Sequence, residues 1–216
     1  MNLFPPVSVF VDGSNTPLFQ SRSKGSYPYV VSAIAVEFRY RPELLRILPR
    51  GKAGRFLKSS SLGLGDDVAE RFLGGLFGLR VSVALVEVDA MSPENCSIAD
   101  ALLDRANQCP QKKLSKSNLM YARTVAQALV NVWRCSPING GELTFFDLTL
   151  DSNSLPNHER ALFEKILREK FQDRGCRLSS ITWTTEQKEQ LLFAPDIVAG
   201  IGRRWWTHPD VPRSWQ

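Results

Sequence analysis

Val7-Ser8-Val9-Phe10-Val11-Asp12-Gly13-Ser14-Asn15 is the stretch that decides how the rest of the chain is read. Its first residues alternate as in a half-buried strand, with Val7, Val9 and Val11 on one face and Ser8, Phe10 and Asp12 on the other. The run ends on a carboxylate followed by Gly-Ser-Asn, residues that favour a sharp turn. A carboxylate at the end of a central strand is rigidly held, which suits metal-dependent phosphoryl chemistry. The competing reading makes Asp12-Gly13 a type I′ hairpin turn with no chemistry.

Working outward, residues 27–38 (YPYVVSAIAVEF) are dense in β-branched types and predict a second strand, joined to the first as a hairpin with a long connection. Arg39, Arg41, Arg46, Arg50, Lys52 and Arg55 then stand against a single acid, Glu43. Such a basic stripe either faces a phosphate backbone or is a solvated loop and short helix. Gly63 and Gly65 precede a helix expected over 66–77 and could cradle a phosphate, but their spacing completes neither a P-loop nor a dinucleotide fingerprint. Strands follow at 80–89, 142–151 and 177–184, and helices at 118–134, 156–173 and 191–204. An irregular insertion, with a short helix near 98–106, is expected at about 90–117. This gives one domain over 1–204 and an aromatic C-terminal tail at 205–216.

Composition narrows the chemistry. A formal charge of +5 permits a nucleic-acid partner without requiring one. His158 and His208 lie far apart, and Cys96, Cys109, Cys135 and Cys176 form no C-x-x-C pair, which disfavours zinc. Scattered thiols fit a reducing compartment. Residues 1–6 lack the basic and apolar regions of a signal peptide, and no stretch has the length of a membrane span. The expectation is a cytoplasmic protein with no membrane partner.

The order of elements predicts a mixed sheet with packed helices. Three carboxylates stand out: Asp12 ending the first strand, Asp151 on the fourth with Asp147 as its rival, and Asp196 opening the last helix. If the first and fourth strands are parallel neighbours, these acids meet at one sheet edge. Each also has a plainer reading. Asp196 could simply stabilise a helix dipole, by about 0.3–1 kcal/mol, and Asp147 and Asp151 could be solvated. Trp205 and Trp206, beside Arg203 and Arg204, could stack bases or plug the edge of a core.

Val9-Phe10-Val11-Asp12-Gly13-Ser14 resembles the first-strand motif of ribonuclease H, an apolar strand ending in D-G-S. Leu191-Leu192-Phe193-Ala194-Pro195-Asp196-Ile197-Val198-Ala199-Gly200 is similar to the L-L-Q-x-A-D-x-x-A-G run of the ribonuclease-H-like domain of unknown function 3800 family. Phe56-Leu57-Lys58-Ser59-Ser60 falls where that family has an E-x-K stretch. The resemblance implies an α/β fold, a ribonuclease-H-like mixed five-stranded sheet with helices on both faces. It also implies Mg²⁺ or Mn²⁺ held by Asp12, Asp151 and Asp196, with Asp147 a further catalytic candidate. The departures are Gly13 and Phe56 where the family has glutamates, and Pro195 before Asp196. Glu37 and Glu70 are candidate replacements for a lost ligand.

The function expected is a metal-dependent nuclease or nuclease-like phosphoryl-transfer protein. Lys58, Arg46, Arg50, Lys52, Arg55 and Arg203 would contact the nucleic acid. The alternative is a catalytically degenerate module that binds nucleic acid or a protein partner within a larger bacterial or phage assembly. A third reading is a small-molecule enzyme using the Gly63/Gly65 helix start.

Overall fold

Among the described residues, β-branched, alternating stretches form five strands: β1 (Val7–Ser14), β2 (Tyr29–Glu37), β3 (Val81–Val88), β4 (Phe145–Asp151) and β5 (Arg177–Thr184). The structure is a computed structural model that describes residues 7–14, 29–62, 67–88, 97, 115–135, 145–172 and 177–207. The strands make one sheet in the order β3-β2-β1-β4-β5. β1 pairs antiparallel with β2, from Val7 opposite Glu37 to Ser14 opposite Val30. Gly13 therefore continues the ladder opposite Val31, and among the described glycines only Gly54 has a positive φ, 71°. That removes the type I′ turn at Asp12-Gly13, which would need φ > 0 at both residues.

β4 runs parallel to β1, with Val11 opposite Leu150, so one further step along both strands sets Asp12 beside Asp151. β5 runs parallel to β4, with Asp151 opposite Thr184. The carboxyl ends of β1, β4 and β5 thus share one edge of the sheet, which is where open α/β sheets bind ligands.

Helices cover both faces: α1 (Arg41–Ile47), α2 (Asp67–Phe77), α3 (Lys116–Cys135), α4 (Asn157–Gln172) and α5 (Phe193–Thr207). The period of two along β1 sends Val7, Val9 and Val11 to one core with Tyr121, Val125 and Leu129 of α3 and Phe163 and Phe171 of α4. Phe10 points the other way, into a second core with Leu44 of α1, Phe72 of α2 and Ile197 and Ile201 of α5. Asp12 has the parity of Phe10 and so faces α5.

α5 extends to Thr207, past the expected stop at Arg204, because nothing between Arg203 and Thr207 breaks a helix and the next proline is Pro209. α3 begins at Lys116, inside the expected insertion, whose residues 90–96 and 98–114 lie outside the described ones. Gly63, Gly65 and the tail from 208 also lie outside them. Among the described residues no helix is long and apolar enough to cross a membrane.

Candidate metal centre

Asp12, Glu186 and Asp196 converge at the shared sheet edge, each placing a ligand oxygen within 4.8 Å of the others. Each acid arrives from a different element. Asp12 comes from β1, Asp196 from the first turn of α5, and Glu186 from the turn that follows β5. They form one wall of a cavity of about 250 Å³ that Asp151, Lys58, Tyr29 and Tyr121 also line.

One short segment clamps two of these acids. The Ser59 backbone N–H and Oγ each donate to the Asp196 carboxylate at 2.8 Å. The adjacent Lys58 Nζ lies 2.5 Å from Glu186 Oε2. The Ser59 carbonyl in turn accepts from Arg204 on α5. α5 can approach this segment because residue 200 is glycine: a Cβ there would stand 2.2 Å from Ser59 Cβ. Gly13 serves a similar close approach. A Cβ on it would lie 2.6 Å from the Tyr29 hydroxyl, which therefore fills the space beside the first-strand acid.

The electrostatics follow from crowding carboxylates in a poorly solvated place. Burial, then the Asp196 charge, push the Asp12 carboxyl well above its ordinary range, against the lowering effect of the Gly13 N–H at 2.7 Å. Glu186 is raised by burial, partly offset by Lys58, and Lys58 is raised by its bond to Glu186. Burial raises Tyr29 and Tyr121, so both stay neutral phenols. A site whose acids repel one another in this way is stabilised by a cation. An all-oxygen carboxylate set is the donor chemistry that Mg²⁺ and Mn²⁺ take.

The structure brings together Asp12 and Asp196 of the acids singled out in the sequence. Asp151 lines the same cavity but its Oδ1 accepts from the Asn153 N–H at 3.0 Å, which ties it to the turn after β4. Asp147 stands apart: it is exposed, accepts from Ser180 Oγ at 2.6 Å, and lies four positions back along β4, about 13 Å by strand rise. Glu37 pairs opposite Val7, at the far end of β1, and Glu70 is exposed on α2, so neither replaces a ligand. Phe56 packs its ring 5.5 Å from that of Phe193, under the Arg50 guanidinium at 4.4 Å, and does not line the cavity.

Glu186 is the residue that sequence reasoning missed. The signal available was its place just beyond the end of a parallel strand, at the edge where the other acids end. Among the expected nucleic-acid contacts, Lys58 lines the cavity, whereas Arg46, Arg50, Lys52, Arg55 and Arg203 do not. Arg50 and Phe56 close a small antiparallel loop that presents Lys52 and Arg55 to solvent. Arg39 and Arg41 are engaged by Glu37 at 2.7 Å and Glu189 at 2.5 Å.

No model of a known protein family matches the sequence, and no curated protein matches it. Among solved structures, the chain is similar to a point mutant of Bst-RNase HIII, with TM-score 0.52 and 14% identity, covering 96% of this chain and 55% of that one. It is likewise similar to Bst-RNase HIII in complex with Mn²⁺, with TM-score 0.51, 15% identity and the same 96% and 55% coverage. The chain thus spans about half the length of these neighbours. The likeness takes in nearly all of its described elements and shows a ribonuclease-H-like α/β fold.

Proposed function

We propose that this chain is a divalent-metal-dependent nuclease, or a nuclease-like phosphoryl-transfer protein, and a divergent relative of the domain of unknown function 3800 family. The observation that carries the proposal is the convergence of Asp12, Glu186 and Asp196 within 4.8 Å at the carboxyl edge of a ribonuclease-H-like sheet. Mn²⁺ in one of the similar structures is consistent with that reading. Asp12, Glu186 and Asp196 would hold Mg²⁺ or Mn²⁺, in a cavity that Asp151 also lines. Once bound, such an ion supplies a water of lowered pKa and offsets charge on the reacting phosphoryl oxygens.

The chain's own residues do the rest. Ser59 fixes the Asp196 carboxylate through two hydrogen bonds. Lys58 holds Glu186 in the cavity wall. The Tyr29 phenol remains a neutral hydrogen-bond donor in the cavity wall. Exposed Arg46, Lys52 and Arg55, with Arg50 and Arg203, would bear on the backbone of a longer nucleic acid.

The test is cleavage of labelled DNA, RNA and their hybrid in Mn²⁺, alongside Asp12→Asn, Glu186→Gln and Asp196→Asn. Cleavage lost by about 100-fold or more in each variant is the expected outcome, on the scale of losing one essential electrostatic group. Cleavage that survives all three defeats the proposal. The second reading, a non-catalytic module binding nucleic acid or a protein partner in a bacterial or phage assembly, is favoured by Tyr29 filling the space at Gly13 and by the apolar setting of Phe56. Salt-sensitive nucleic-acid binding without metal uptake in calorimetry would select it.

A further inference from the structure

We propose that the Lys58 ammonium is a resident countercation of the acidic cluster, which takes one divalent ion and binds it against the Lys58 charge. The inference rests on the metal-binding reading above. Lys58 Nζ sits 2.5 Å from Glu186 Oε2, an oxygen of one of the three converging carboxylates, and its charge also acts on Asp196 and Asp151. A pair of ions about 4 Å apart needs carboxylates free to bridge them, and each ion wants about six oxygens. Lys58 uses one of the Glu186 oxygens. The positions that could have supplied further acids do not: Gly13 carries no side chain and its space is filled by Tyr29, Phe56 is packed on Phe193, and Glu37 lies at the other end of the sheet.

The chain also keeps Lys58 in place. Ser59 is tied to Asp196 by both its N–H and its hydroxyl, so the backbone beside Lys58 moves with the ligand set. The Lys58 side chain is nevertheless 56% exposed, which separates this pair from a buried structural salt bridge and lets the residue be replaced without opening the core. Its role is positioning and charge balance.

The experiment is Mn²⁺ calorimetry on the full chain after chelator treatment, for the native protein, Lys58→Met and Lys58→Arg, with thermal melts in chelator. One Mn²⁺ is expected for the native protein and for Lys58→Arg, which keeps the charge. Lys58→Met is also expected to take one, bound on the order of tenfold more tightly once a nearby like charge is gone. Its metal-free melting temperature should fall, and Mn²⁺ should restore it. Two ions in the native protein, or one ion of unchanged affinity in Lys58→Met, overturns the countercation role and leaves the metal site standing. No Mn²⁺ uptake by any of the three proteins overturns both.

Discussion

Replacing Gly200 by alanine should cost the protein more than any glycine change of the same kind elsewhere in its helices, because that glycine is where the fold and the acidic site touch. The added Cβ would lie 2.2 Å from Ser59 Cβ and 2.7 Å from Ser59 Oγ. Carbon atoms in contact prefer about 3.5–4.0 Å, so the shortfall exceeds ~1 Å. Ser59 cannot swing aside as a surface side chain would, since its N–H and Oγ hold Asp196 and its carbonyl accepts from Arg204. Alanine in a helix is favoured over glycine by about 1 kcal/mol. Against this stand about 1–3 kcal/mol for overpacking and about 1.5–3 kcal/mol for each hydrogen bond to the carboxylate that is lost. The net is a loss of roughly 2–5 kcal/mol, which for a domain of this size lowers the melting temperature by about 5–15 °C.

Two other glycines supply the controls. A Cβ on Gly74 of α2 meets nothing within 4 Å, so Gly74→Ala should gain about 1 kcal/mol. On Gly202 it meets the tip of Leu85 at 2.5 Å, but Leu85 lies on the edge strand β3 and is 38% exposed, so it can turn away and the change should be close to neutral. Urea unfolding followed by tryptophan fluorescence ranks the three variants, and Mn²⁺ calorimetry asks whether Gly200→Ala also weakens metal uptake. If Gly200→Ala is as stable as Gly74→Ala, α5 does not rest on Ser59 and the account of how Asp196 is held is wrong.

Three further outcomes are expected. Gly13→Ala should destabilise by about 1–3 kcal/mol, because its Cβ meets the Tyr29 hydroxyl at 2.6 Å; adding Tyr29→Phe should recover part of this, leaving ring carbons at 3.2 and 3.3 Å. A double-mutant cycle showing strict additivity would refute the contact. Asp12, raised by burial and by Asp196, keeps a proton in the folded chain that the unfolded chain releases. Metal-free stability should therefore fall as pH rises from about 4, the unfolded aspartate range, through the raised folded value; urea midpoints in chelator should show a slope that Asp12→Asn flattens, and parallel slopes would refute it. Phe56→Glu should not add a ligand but should lose about 2–4 kcal/mol of packing against Phe193 and Arg50, and tighter Mn²⁺ binding by that variant would contradict its placement outside the cavity.

Much of the fold was legible because its signals are local and repeat. Alternation in β1 decides which side chains face which core, and the same parity sends Asp12 toward α5. The strand–helix–strand order limits how β4 and β5 can join the sheet, which is why the meeting of Asp12 and Asp151 at one edge could be anticipated. The end of α5 was less legible, since two tryptophans and two arginines read equally well as a helix turn or as a tail.

The site was legible only where an acid sits on an element with a period. Asp12 ends a strand and Asp196 opens a helix, so each is marked by its surroundings. Glu186 lies in the irregular turn after β5, with Glu189 close by, and their spacing gives no reason to prefer one. Three dimensions separate them: Glu189 turns to Arg41 at 2.5 Å, while Glu186 is buried against Asp12 and Asp196. The same holds for Lys58-Ser59, whose residue types suggest a phosphate contact but whose hydrogen bonds go to the protein's own carboxylates. A basic residue near an acidic cluster has two uses, binding an anion that arrives or balancing acids already present. Distance to the nearest carboxylate distinguishes them, and at 2.5 Å from Glu186 the second use is the one that the folded chain has made.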